Sequence, residues 1–217
     1  PNVGKSTIFN NLTGLKQHTG NWPGKTVTNA QGYCTFEEQG YVFVDIPGTY
    51  SLMAHSAEEE VARNFICFGE PDAVIVVCDA TCLERNLNLV LQTMEITNNV
   101  LVCVNLMDEA KKKNITIDID EISKELGVPV VGISARNKKD MNKLLKALGS
   151  LFDEDKKESE PLKVKYIKEI ETAINIVSPT IENYVSDKIN ARWLSLKLLD
   201  YDNTLIEELN KYLGEDI

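Results

Sequence analysis

Three short runs of nearly unbroken apolar residues, 73–79, 100–105 and 129–133, most constrain what this chain can fold into. They are strand-sized, rich in valine, and lack the polar alternation of a strand with one wet face. Such runs are expected of parallel strands buried on both sides. Between and around them lie helix-like stretches at 56–68, 84–98, 119–126 and 140–151. Ser56 followed by Glu59 reads as a capping box, and Gly127 with Pro129 stops the third stretch. Residues 6–14 read as an amphipathic helix opened by a glycine-lysine turn. Residues 30–36 and 41–46 read as a hairpin joined through Glu37-Glu38-Gln39-Gly40. Strand and helix alternating at this spacing imply an α/β domain, a mostly parallel sheet with helices on both faces.

The character changes near residue 153. Asp153-Glu154-Asp155-Lys156-Lys157-Glu158-Ser159-Glu160 is a charged linker, and no strand-like run follows it. Ile167, Ile170, Ile174 and Val177 recur at helical spacing, and Ser178-Pro179 is expected to interrupt that helix. The organisation expected is therefore an α/β domain over 1–152, a linker over 153–160 and a small all-α subdomain over 161–217, with Trp193 in its core.

Composition narrows the function classes. Of the 217 residues 43% are hydrophobic and 26% charged, which excludes wholesale disorder. The formal net charge is -10, and residues 153–217 carry 15 acidic against 9 basic side chains, so -6 of it lies there. That balance argues against a chain that coats nucleic acid or anionic lipid, which requires clustered cations. No apolar run approaches the ~20 residues of a membrane span. The five cysteines are scattered through apolar segments and only two histidines accompany them, so buried free thiols are expected rather than disulfides or a metal cluster.

Four strand-end motifs carry chemistry. Pro1-Asn2-Val3-Gly4-Lys5-Ser6-Thr7 matches the second half of a Gly-x-x-x-x-Gly-Lys-Ser/Thr phosphate loop. In such a loop Gly4 lets successive amides point inward at a helix N-terminus, Lys5 reaches the β- and γ-phosphates, and the Ser6 hydroxyl ligates Mg²⁺. Val42-Phe43-Val44-Asp45-Ile46-Pro47-Gly48 is an apolar strand ending in Asp-x-x-Gly. There the Asp45 carboxylate can hold Mg²⁺ through water and the Gly48 amide can meet the γ-phosphate. Val100–Val104 ends in Asn105-Leu106-Met107-Asp108, where the carboxylate of Asp108 suits the paired donors on a guanine edge. Val130–Ile133 ends in Ser134-Ala135-Arg136, whose Ala135 amide is placed to contact the guanine oxygen. The four together, in this order, point to a guanine nucleotide.

This order resembles the translation-factor-like class of small GTPases, with a Ras-like sheet. The stretch Gly20-Asn21-Trp22-Pro23-Gly24-Lys25-Thr26-Val27 narrows the match. With Pro1–Thr7 and Asp45-Ile46-Pro47-Gly48-Thr49-Tyr50-Ser51-Leu52, it is similar to the cytosolic GTPase region of FeoB-type ferrous iron transport proteins. The resemblance implies GTP hydrolysis that regulates ferrous iron uptake, at the cytoplasmic face of a membrane and beside a permease portion of the same protein. It also implies an accessory small iron-transport protein as partner, and a helical domain that stabilises bound GDP. Nucleic acid is not an expected partner.

The resemblance also assigns residues. Thr26 would complete the Mg²⁺ shell, with Gly24 and Lys25 beside the nucleotide and Met107 near the base. Asn2 would help hold a K⁺ ion, with the carbonyls of Gly20 and Trp22. Lys5, Asn2, Thr26 and Gly48 would then carry catalysis. A strand leading into the phosphate loop is expected at the centre of such a sheet, and it would precede Pro1, so the sequence given is expected to begin after it. Lys25-Thr26-Val27-Thr28 departs from the pattern of many members. Thr49 stands where Ras-like enzymes place a water-orienting glutamine, and its short hydroxyl implies slow turnover. Two other readings remain: a soluble ribosome-assembly or RNA-modification GTPase, which the acidic helical segment disfavours, and a nucleotide-binding module that does not hydrolyse. Lys111-Lys112-Lys113 reads as a solvated face and Glu58-Glu59-Glu60 as a helix start. Arg63 and Arg85 carry no positional signal for an arginine finger.

Overall fold

A computed structural model describes residues 2–14, 17–21, 28–153, 160–185 and 189–214. In chain order the elements begin with helix α1 (Lys5–Thr13) and strands β1 (Gln17–Asn21), β2 (Thr28–Phe36) and β3 (Gln39–Asp45). There follow α2 (Ala57–Phe68), β4 (Val74–Asp79), α3 (Leu83–Ile96), β5 (Val100–Asn105) and α4 (Met107–Lys112). Then come α5 (Ile119–Leu126), β6 (Val130–Gly132), α6 (Lys138–Ser150) and, after the linker, α7 (Lys168–Glu182), α8 (Ala191–Leu199) and α9 (Asn203–Leu213).

The valine-rich runs form a parallel sheet in the order β4-β5-β6, with Val76 beside Val102 and Val102 beside Val130. All six residues of β5 are buried. Its even-numbered side chains Val100, Val102 and Val104 join a core with Ala62 and Ile66 of α2, and with Val90 and Met94 of α3. Its odd-numbered Leu101 and Cys103 face the other way, against Ile8 of α1 and Met141, Leu144 and Leu148 of α6. Period-2 alternation under continuous hydrophobicity is what places helices on both faces.

The second sheet is antiparallel, β1-β2-β3. Its hairpin is tighter than the four-residue connection expected: Gln39 and Gly40 belong to β3, and Phe36 pairs with Gln39. Glu37 and Glu38 alone make the turn, at φ 49° and 66°, the left-handed pair a two-residue hairpin requires. Strand β1, of sequence Gln-His-Thr-Gly-Asn, carries no apolar alternation and was not legible beforehand. Between β3 and β4 the sheets do not pair.

The helical segment packs onto the same core as α2 and α3, through Ile181, Val185, Trp193, Leu194, Leu205 and Leu209. The interruption expected at Ser178-Pro179 does not occur, because α7 runs through both residues. Pro179 lies in its last turn, so its missing N–H costs one rung where the helix ends three residues later. Across this contact Arg63 of α2 is fully buried. Its guanidinium donates to Asp202 at 2.6 Å, to Asn64 at 3.0 and 2.9 Å, and to Thr204 at 3.1 Å.

Cys67, Cys78 and Cys103 are buried as expected, and burial pushes their thiols up, to about 12 for Cys78. The expectation fails for Cys82, which is exposed at the N-cap of α3, and is only half met by Cys34. No helix among the described residues is long and apolar enough to cross a membrane.

Candidate functional site

The phosphate loop ends in a glycine because nothing larger fits. Gly4 sits at φ 84°, and a Cβ there would lie 2.3 Å from Nδ2 of Asn105. Asn2 also takes the left-handed region, at φ 65°. Helix α1 starts at Lys5 without a side-chain cap and without an acidic residue in its first turn, leaving its N-terminal amides for a ligand. The ammonium of Lys5 donates to the Asp45 carboxylate at the end of β3. Ser6 and Thr7 are exposed in the first turn. Asn2–Thr7 line one cavity of about 590 Å³ together with Gly48, Thr49 and Tyr50. A serine hydroxyl and a carboxylate are the hard oxygen donors Mg²⁺ takes, and Lys5 already joins the two motifs that supply them.

Thr49 does not face this cavity as a donor. Its hydroxyl donates to the Ser51 carbonyl at 2.7 Å and accepts the Ser51 amide at 3.1 Å, closing a turn on itself.

At the base end one side chain organises the rest. Asn105 is fully buried; its Nδ2 donates to the Val3 carbonyl at 2.9 Å, and its Oδ1 accepts the Ala135 amide at 2.9 Å. It thereby fastens the phosphate loop to the loop after β6. Leu106 turns the chain at φ 65°, and α4 begins at Met107, whose amide donates to the Ile133 carbonyl at 3.1 Å. The Asp108 amide donates to the Ser134 hydroxyl at 3.1 Å, and the Ser134 amide to Asp140 at 2.8 Å. Arg136 is exposed at the edge of this loop. The Ala135 amide, expected to face a guanine oxygen, is engaged by Asn105 in this structure.

Sequence reasoning passed over two residues that build this end, Asn11 and Asp140. Asn11 of α1 donates to the Ala135 carbonyl at 2.6 Å. Asp140 sits in the first turn of α6, three residues after the Asn137 cap. That cap signature was the available clue; Asn11 offered none. Of the remaining sequence candidates, Trp22, Gly24, Lys25 and Thr26 lie outside the described residues. Gly20 lies in β1, in register with Asn29.

Comparison with known proteins decides the family. The family model described as ferrous iron transport protein B matches residues 1–148, and the one described as FeoB cytosolic helical domain matches residues 166–217. The chain belongs to the FeoB family. The Fe(2+) transporter FeoB of Escherichia coli K12 is 36% identical over 207 residues, 93% of this chain and 26% of that protein. A Fe(2+) transport protein A/Fe(2+) transporter FeoB fusion protein of Porphyromonas gingivalis is 35% identical over 99% of this chain and 25% of its own length. The chain thus spans about a quarter of the curated relatives it matches. Among solved structures, the cytosolic domain of the T. maritima FeoB iron transporter in a GDP form matches with TM-score 0.85 at 34% identity. That match covers 99% of this chain and 83% of the other. Its GMPPNP form matches with TM-score 0.84, at the same identity and coverage. The α/β sheet with an appended helical segment is therefore the FeoB cytosolic architecture, and the match through the helical segment does not favour the RNA-modification reading.

Proposed function

We propose that this chain binds GTP with Mg²⁺ and hydrolyses it, as the nucleotide-switched part of a ferrous iron transporter. The observation that carries the reading is Asn105, which ties the phosphate loop at Val3 to the loop at Ala135 and so builds both ends of a nucleotide site around one buried amide. In this reading Lys5 leaves Asp45 for the β- and γ-phosphate oxygens. Ser6 and, through water, Asp45 hold the metal, with Thr26 completing its shell. Gly24 and Lys25 lie alongside, and Val3, Gly4 and Thr7 offer backbone amides. Bound Mg²⁺ neutralises charge on the phosphate oxygens. Asp108 accepts from the guanine edge, flanked by Met107, Ser134, Ala135 and Arg136.

Asn2 and the carbonyls of Gly20 and Trp22 hold K⁺, which supplies positive charge where an arginine finger acts elsewhere. With the Thr49 hydroxyl closed on Ser51, the attacking water is left to backbone groups such as the Gly48 amide, and intrinsic turnover is slow. Residues 1–152 form the GTPase domain, 153–160 the linker and 161–217 the helical domain, which transmits the nucleotide state to a membrane portion from the cytoplasmic face. The P. gingivalis fusion supports a small accessory transport protein as a partner.

The test is GTP turnover with Mg²⁺ in KCl against NaCl. Hydrolysis that is faster in KCl, and that loses this stimulation in Asn2→Ala with nucleotide binding intact, is the expected result. No hydrolysis in either salt overturns the enzyme reading and leaves a binding module. Asp108→Asn is expected to move preference from guanine toward xanthine nucleotides; unchanged GTP affinity would contradict the base assignment.

A further inference from the structure

The loop that follows Gly48 is pinned at two points by one helix. Arg85 of α3 places its guanidinium carbon 3.9 Å from the centroid of the Tyr50 ring. Gln92, seven residues further along α3, accepts the Leu52 amide at 2.7 Å. Seven residues are two turns, so both side chains rise from one face of the helix. Leu52 is only 4% exposed and shares its core with Val90 and Met94 of the same helix. Around the first pin the Thr49–Ser51 turn closes on itself. The segment from Thr49 to Leu52 is thus a short span held against α3 at Tyr50 and Leu52. Gly48, the residue before it, lines the same cavity as the phosphate loop.

We propose that Arg85 and Gln92 are positioning residues for hydrolysis: by clamping Tyr50 and Leu52 to α3 they fix the Gly48 amide over the phosphate loop. The inference rests on the GTPase reading above and extends it to residues outside every nucleotide motif. A backbone donor acts on a developing charge only if it is held in place beforehand, and small displacements are costly in rate. Thr49 gives the loop no side-chain donor to correct a misplaced backbone, so its placement falls to α3. Arg85 is exposed and Gln92 half-buried, so their removal leaves the hydrophobic core intact.

The experiment combines single-turnover GTP hydrolysis, affinity for a fluorescent GTP analogue, and hydrogen exchange at the Leu52 amide. Arg85→Ala is expected to slow hydrolysis roughly two- to fivefold, as an exposed cation–π contact allows, with affinity unchanged. Arg85→Lys and Tyr50→Phe keep a cation and a ring, and are expected to retain most of the rate. Arg85→Ala combined with Tyr50→Leu is expected to be no slower than the slower single variant, because both remove one contact. Gln92→Ala is expected to slow hydrolysis and to speed exchange at Leu52. Hydrolysis at the parent rate in both Arg85→Ala and Gln92→Ala, or a rate that falls only in step with affinity, overturns the proposal. Should the parent chain hydrolyse no GTP, the functional reading fails on its own. The clamp is then judged by exchange alone, and an unaltered Leu52 amide in Gln92→Ala overturns it.

Discussion

The two ends of the candidate site are held by different means. At the base end the ties are internal: Asn105, Asn11, Ser134 and Asp140 hydrogen-bond the loops to one another beside fully buried β5. At the phosphate end the ties reach outward. Beside the Lys5–Asp45 pair within the site, the loop after Gly48 is clamped to α3, and α2 is anchored to the helical segment through Arg63 and Asp202. Met53 of that loop also receives Lys197 of α8 at 3.7 Å, and Tyr166 donates to Glu95 of α3 at 2.5 Å. A site built this way keeps a preformed base pocket and leaves its phosphate side coupled to a second layer of structure. In the proposed reading, this difference in coupling, rather than in sequence motif, would equip one end to report the γ-phosphate.

The largest effect is expected from Lys5→Ala. Among the described residues it removes the one cation seen at the phosphate loop, and it takes from Asp45 its ammonium partner, so GTP affinity should fall by roughly 100-fold. Titration with a fluorescent analogue measures it. A loss equal for GTP and for guanosine would place Lys5 away from the phosphates and break the division between the ends. Asn105→Ala comes next. It strands the Val3 carbonyl and the Ala135 amide beside a fully buried position, costing about 2–3 kcal/mol in denaturant unfolding. Because Asn105 joins the two ends, it should weaken guanosine and pyrophosphate binding alike.

Asp202→Ala tests the outward tie. It removes the acceptor from a guanidinium that is 0% exposed, though Asn64 and Thr204 remain as partners. A loss of about 1–3 kcal/mol is expected, because one partner of a buried pair is left without the other. Asp202 also caps α9 by accepting the Leu205 amide at 3.1 Å, so Arg63→Met separates cap from ion pair. If both variants leave nucleotide release unchanged, the phosphate end is not coupled to the helical segment.

Motif and core were legible in different ways. The parallel strands announced themselves because burial on both faces demands continuous valine, leucine and isoleucine, and the four motifs because phosphate and guanine chemistry demands particular residues at strand ends. Strand β1 was not legible, since a polar pentapeptide carries no apolar alternation to mark it as a strand. Pro179 misled because the helix ends three residues after it, so the rung it forfeits falls in the last turn rather than splitting the helix. Arg63 and Arg85 were legible only as arginines without a motif. Their roles depend on Asp202, 139 residues away, and on a ring in a neighbouring loop, and no local pattern encodes such contacts.

The smallest effect is expected at a partly exposed ion pair within the helical segment. Arg192 of α8 donates to both carboxylate oxygens of Glu171 of α7, at 2.7 and 2.8 Å, and to the Val164 carbonyl at 3.0 Å. The guanidinium, with the Tyr166 amide, lowers the Glu171 carboxyl from its ordinary 4.5 to about 2. A carboxyl depressed in the folded state stabilises it above its unfolded value, and that contribution disappears as pH falls from 4.5 toward 2. Melting curves across this window should show Glu171→Gln declining less steeply than the parent chain, with the two separated most above pH 4.5. Solvent screens the pair, so the separation should be modest and shrink in high salt. If nucleotide affinity changes in step with that separation, α7 belongs to the coupled layer; if only the melting temperature moves, the layer that feels the phosphate end stops at α8 and α9.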